Sequence, residues 1–215
     1  MITLSLSHSL TLSLSLSLLL DLLQKELDVS IETAEGQVKK NLEAMRDVSS
    51  AYWLDVKAKV KSDGTPGETI SMEGILKDAA AKKPVPLVTF IVYDLPNRDC
   101  HALASNGELC CTYKEDGTCD YLAPGNCEEG IETYKKEYID PMAEILSKYH
   151  TKVPIILIIE PDSLPNLATN IGDPRCGADA TITAYHECIA YAVETLAKRA
   201  PSATMYIDAA HGGYY

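Results

Sequence analysis

Three stretches of this chain put acidic side chains directly after short runs of aliphatic residues, and those junctions are where chemistry is to be sought. Ile155-Ile156-Leu157-Ile158-Ile159 runs into Glu160, Pro161 and Asp162. Leu87-Val88-Thr89-Phe90-Ile91-Val92-Tyr93 runs into Asp94, with Arg98 and Asp99 close behind. Thr204-Met205-Tyr206-Ile207 leads to Asp208 and His211. A short aliphatic run flanked by prolines reads as a strand buried on both faces, as in a parallel sheet wrapped by helices. In α/β folds the C-terminal ends of such strands open into the ligand crevice, so Glu160 and Asp162 are placed to do chemistry rather than to pack. Two plainer readings stand beside this one. Glu160 and Asp162 could cap a helix that starts near Ser163, and Arg98 and Asp99 could simply pair at the surface.

Neighbouring strands lie about 4.8 Å apart, so carboxylates at their ends can face each other across a gap of sugar-ring size. Two such acids divide labour when their surroundings push their pKa values apart, one staying protonated and the other ionised. Glycoside hydrolysis uses that arrangement.

The elements that must hold these residues follow from patterning. The chain has 215 residues, 46% of them hydrophobic, enough for one compact domain with a real core. A formal charge of -12 without a basic cluster argues against nucleic acid and membrane as partners and favours a neutral substrate. Seven cysteines, four of them from Cys110 to Cys127, suggest an oxidising compartment. Those four are expected to form two local disulfides whose pairing the sequence leaves open. No CxxC pair or His/Cys ligand spacing points to zinc.

Helical spacing of Ile31, Val38, Leu42 and Met45 predicts a packing helix over 30–48. Residues 50–55 read as a strand carrying the only tryptophan, Trp53, which on residue type alone is a core side chain. A turn-rich connection over 61–68 and a short helix over 71–81, interrupted by Gly74, come next. A looser helix spans 131–149, with a kink or restart at Pro141 capped by Asp140, and a well-patterned one spans 181–199. Strand and helix alternate throughout, which points to an α/β barrel or an open parallel sheet. Four strands cannot close a barrel, so the pattern reads as unfinished. Residues 1–23 alternate serine and leucine with no Lys or Arg before Lys25, and fit neither a signal peptide nor a membrane span. They are expected to be an unusual leader or a mispredicted start.

The stretches VYDLPNRDC (92–100) and IIEPDSL (158–164) resemble the two signature motifs of glycoside hydrolase family 6, in the right order and separation. The resemblance runs from about Trp53 to the end and includes ALASNGE (102–108), DPRC (173–176), 185–193 and 206–213. It implies an α/β fold, a partial, truncated and distorted parallel β/α barrel, with residues 24–215 as the N-terminal part of a catalytic domain. It implies hydrolysis of β-1,4-glucan with inversion, by a secreted enzyme that uses no cofactor or metal and acts as a monomer once completed. By resemblance Asp162 is the general acid, Asp99 the aspartate that influences its protonation, and Ser105 a loop serine that helps to hold the attacking water. Tyr93 crowds the distorted sugar, and Arg98 supports the acid pair. Trp53 becomes a sugar-stacking residue, reversing the reading from residue type, while Asp208, His211 and Tyr214 line the same cleft. Cys100 and Cys176 match a disulfide between the two catalytic loops, and Cys188 a buried unpaired position. The segment with the four clustered cysteines has no counterpart in the family pattern. The alternative expectation is an inactive fragment or a non-catalytic glucan-binding remnant.

Overall fold

The computed structural model describes residues 27–45, 50–61 and 71–210. The Ser-Leu leader, most of the 61–68 connection, His211 and Tyr214 lie outside them. Contacts divide the chain into two compact units, one formed by residues up to Ser50 with 62–70, the other by 51–61 with 71–215. In the first unit, residues 27–33 are helical, and α1 (Gly36–Met45) follows after a break at Ala34 and Glu35. The single packing helix expected over 30–48 is thus split, and α1 buries none of its residues. Its apolar residues are too few: Val38 and Met45 are exposed between lysines and glutamates.

The second unit is built on a four-stranded sheet: β1 (Tyr52–Leu54), β2 (Val88–Val92), β3 (Ile155–Ile159) and β4 (Thr204–Ile207). The strands are all parallel and lie side by side in chain order. Parallel neighbours require crossovers, which in α/β folds are right-handed in nearly all cases. When each crossover steps the same way, the helices collect on one face, which is the layout of a barrel wall rather than of a doubly wound sheet. The helices are α2 (Met72–Ala81), α3 (Glu128–Tyr149), α4 (Leu164–Thr169) and α5 (Asp179–Arg199). Helix α3 lies against both α2 and α5, while α2 meets β2 and α5 meets β3.

Burial follows this one-sided cover. Val88, Phe90 and Val92 with Ile155, Leu157 and Ile159 are buried; of the alternate residues Ile91 is buried too, whereas Thr89, Ile156 and Ile158 are only half-buried. The expectation of two fully covered faces therefore holds for one face and only in part for the other. Strand β4 is the most open, with Tyr206 and Ile207 exposed.

Local chemistry explains the helix ends. Ser71 caps α2 by accepting the Gly74 N–H at 3.1 Å, so Gly74 lies in the first turn and does not interrupt the helix. Helix α3 is continuous. It passes from α-geometry (Glu128–Thr133) through a π-helical segment (Tyr134–Ile139) into a second α-segment (Asp140–Tyr149), and Pro141, which has no N–H to give, sits at the switch between the two geometries. Asp140 does not cap it, because its Oδ1 accepts the Tyr191 hydroxyl at 2.7 Å.

Candidate active site

The register sets the last residues of the four strands in one row: Leu54, Val92, Ile159 and Ile207. The chain therefore leaves the sheet at one level, and Asp55, Tyr93, Glu160 and Asp208 emerge side by side.

Glu160 turns inward. It is 1% exposed, and its Oε1 accepts the Asp94 N–H at 3.1 Å and the Tyr134 hydroxyl at 2.8 Å. Burial raises its carboxyl to about 7. It braces the ends of β2 and β3 and offers no group to solvent, which corrects the expectation that Glu160 does chemistry. Asp162, two residues on, is exposed. Its backbone N–H donates to Asp208 Oδ2 at 2.7 Å, and Asp208 Oδ1 accepts the Ala210 N–H at 2.8 Å. Asp208 thus ties the β3 loop to the β4 loop. Both Glu160 and Asp162 have left-handed φ values, +42° and +62°. Non-glycine residues rarely adopt that region. The turn makes one carboxylate a buried brace and delivers the other to the surface.

The loop after β2 is organised by Arg98, which is 7% exposed. Its guanidinium donates to the carbonyls of Ser105 (2.7 Å), Asp55 (3.2 Å) and Asn106 (3.2 Å), and also to that of Tyr93. It lies 4.4 Å above the Tyr93 ring centroid and 3.6 Å from Asp94 Oδ1. A planar fork with five donors suits this task. Arg98 therefore pairs with backbone and Asp94, and the surface pair with Asp99 is not formed. Asp94 is wholly buried. Desolvation first, then the charges of Glu108 and Glu160, push its carboxyl to about 9 against the weaker pull of Arg98.

Asp99 Oδ2 accepts the Ser105 N–H at 2.7 Å and lies 3.2 Å from Ser105 Oγ, while the Tyr93 hydroxyl lies 3.2 Å from the same Oγ. Tyr93, Ser105 and Asp99 form one hydrogen-bonded chain. Burial raises the Tyr93 phenol above its ordinary range, and the charges of Asp99 and Asp162 add to the shift, so both carboxylates bear on one hydroxyl. Trp53 is 49% exposed and meets the Tyr93 ring edge-on at 5.3 Å between centroids. It is a surface platform beside the site, not a core residue.

Cys100–Cys176 bridges the loops after β2 and β3. The clustered cysteines pair as Cys110–Cys119 and Cys111–Cys127. Cys188 is buried and unpaired in α5. Sequence reasoning missed the residues beneath the site. Tyr138, from the π-helical segment, accepts the Tyr93 N–H at 3.0 Å and donates to the Leu54 carbonyl, while Tyr134 reaches Glu160. Their four-residue spacing and tyrosine identity, ahead of Pro141, were the available signal. Among the described residues no group of three His, Cys, Asp or Glu is arranged to hold a metal.

The model of the Glycosyl hydrolases family 6 matches residues 22–215. Among relatives, the Aspergillus clavatus protein named probable 1,4-beta-D-glucan cellobiohydrolase C is 43% identical over 186 residues, 86% of this chain and 35% of that protein. Exoglucanase 2 of Hypocrea jecorina is 41% identical over 174 residues, 80% and 31% respectively. Among solved structures, the catalytic domain of Cellulomonas fimi Cel6B superimposes with a TM-score of 0.70 at 31% identity, covering 88% of this chain and 40% of that one. The CcCel6A catalytic domain in complex with p-nitrophenyl beta-D-cellotrioside gives 0.66 at 32% identity, covering 88% and 46%. The chain spans about a third of the length of the curated relatives it matches. With the family model matching nearly its whole length and the same strand ends carrying the two motifs, the chain belongs to glycosyl hydrolase family 6.

Proposed function

We propose that the protein hydrolyses β-1,4-glucosidic bonds of cellulose or a related β-glucan with inversion, Asp162 serving as general acid. The observation that carries this reading is the placement of the Asp99–Ser105–Tyr93 hydrogen-bonded chain, after β2, and of Asp162, after β3, at the ends of adjacent strands. In the reaction Asp162 gives its proton to the glycosidic oxygen as the bond to the anomeric carbon breaks. A water attacks that carbon from the opposite face, and its proton passes to the Ser105 hydroxyl as that hydroxyl gives its own proton to Asp99. Protonation and water activation of this kind need no metal or organic cofactor. Trp53 offers the flat apolar surface on which a pyranose ring stacks, and Asp208, which fixes the Asp162 backbone, sets the direction of the acid. His211 and Tyr214 complete the glucan-binding set.

The three disulfides fit a protein that matures in an oxidising compartment and acts outside the cell. No helix among the described residues is long and apolar enough to cross a membrane. The domain begins at about residue 24, after the Ser-Leu leader, and works as a monomer. The test is reducing-sugar release from a soluble β-glucan by the protein and by its Asp162→Asn variant. An amide cannot donate the proton that the leaving oxygen needs, so a loss of about 100-fold or more is expected. Near-normal turnover by the variant would remove Asp162 from the acid role.

A further inference from the structure

The segment from Cys110 to Cys127 has no part in the mechanism above, yet it packs directly behind the Asp99 turn. Tyr121 is 7% exposed and sits in a buried cluster with Cys100, Cys110, Cys119 and Cys176, that is, against two disulfides. Its hydroxyl donates to the Arg98 carbonyl at 3.2 Å. That carbonyl belongs to the peptide joining Arg98 to Asp99, whose plane is set by the ψ of Arg98 and the φ of Asp99 together. Asp99 has φ +55°. With the carbonyl released, the peptide can turn and φ relax to negative values, which tilts the N–Cα–Cβ frame that points the side chain at Ser105.

The strained conformer therefore needs something to hold the carbonyl where it is. The preceding peptide, Asn97–Arg98, is anchored as well: its carbonyl accepts the Tyr185 hydroxyl at 3.2 Å, and Asn97 Oδ1 accepts the Cys111 N–H at 3.0 Å. Burial and then the charge of Asp99 keep the Tyr121 phenol protonated up to about 12, so it stays a donor.

We propose that Tyr121 is a positioning residue. Through the Arg98 carbonyl it fixes the Arg98–Asp99 peptide in the orientation that aims the Asp99 carboxylate at Ser105. The proposal rests on the functional reading above in that Asp99 matters there as partner of the attacking water. The disulfide-tied segment is then a brace for the water-holding side of the site, with Cys110–Cys119 forming the seat of the Tyr121 ring.

The experiment is site-resolved amide hydrogen exchange on the oxidised protein and its Tyr121→Phe variant, which removes one oxygen and leaves the ring in its disulfide-walled seat. The Ser105 amide reports directly, because it donates to Asp99. Loss of one hydrogen bond of ordinary strength should speed its exchange about five- to tenfold, with the amides of Phe90 and Leu157 unchanged. Leu122→Ala, at an exposed neighbour, should alter none of them. Unchanged Ser105 exchange in Tyr121→Phe would overturn the proposal. So would a rise of equal size at Phe90 and Leu157, which marks general loosening rather than positioning. Exchange needs no turnover. A protein that hydrolyses no glucan yet shows the Ser105 effect would defeat the functional reading alone, and normal hydrolysis beside unchanged exchange would defeat only the role of Tyr121.

Discussion

Replacing Asp94 by asparagine should make the protein more stable at alkaline pH while leaving it nearly unchanged at pH 5. Burial holds the folded Asp94 carboxyl at about 9, against an ordinary value of 3.8. Between those limits the folded state keeps a proton that the unfolded chain has released, so stability falls as pH rises, by about 1.4 kcal/mol per pH unit. From pH 5 to pH 8 the loss from this one group is on the order of 4 kcal/mol, three units at that slope. Glu160, raised to about 7 by burial, adds a loss of the same sign up to that pH. At pH 5 the protonated acid and the amide are nearly isosteric and both neutral. At pH 8 the variant has no proton to lose. Urea unfolding with the disulfides intact, run at pH 5 and pH 8 on both proteins, measures the difference. An equal fall in stability for the two proteins would refute the reasoning and place the buried proton elsewhere.

Asp99→Asn should lower kcat with KM little changed, since the carboxylate touches the Ser105 loop rather than the stacking surface. A raised KM at unchanged kcat in steady-state assays would assign Asp99 to binding instead. Gly107→Ala should destabilise the fold by about 1–3 kcal/mol in urea unfolding. An added Cβ would lie 3.0 Å from Asp94 Oδ1 and 3.3 Å from Arg98 Cζ, and Arg98 is tied to four carbonyls and cannot retreat. An unchanged unfolding midpoint would show that this contact can relax.

The strands and their order of appearance were legible in the sequence because a run such as Ile155–Ile159 has few alternatives. Asp162 and Asp99 were legible for the same reason, being placed where strands end. Glu160 was not. It sits two residues from Asp162 in the same turn, and only its left-handed backbone, unmarked by glycine, sends it under the sheet. The buttressing tyrosines were hidden by a different effect. Tyr134 and Tyr138 point to the strand ends from a π-helical segment, and helical patterning detects apolar faces rather than the aim of a hydroxyl. The pairing of Cys110 with Cys119 and Cys111 with Cys127 depends on how a loop folds back, which spacing does not encode. Helix α1 has helical periodicity, but its apolar stripe is too sparse to bury, and periodicity alone does not report that density.

Strain is distributed unevenly over this chain, and its location ties the fold to the chemistry. Seven non-glycine residues among those described have positive φ, and six of them, Asn97, Asp99, Leu103, Glu160, Asp162 and Ala210, lie in the loops that follow β2, β3 and β4. Each such residue costs on the order of 1–2 kcal/mol. The contacts that hold them come from below and behind: Tyr185 and Tyr121 on successive carbonyls, Tyr134 on Glu160, Asp208 on the Asp162 N–H, and the Cys100–Cys176 bridge. Bridging a separation of 76 residues contributes about 4 kcal/mol in the chain-entropy picture. That is enough to offset two or three of the strained residues. If stability alone governed these loops, the turns would relax to negative φ, and the tyrosines would have no carbonyls to hold. Asp99 and Asp162 stay in strained conformations because the elements behind them are rigid; under the proposed hydrolytic function, that rigidity is what would aim the two carboxylates in advance of substrate.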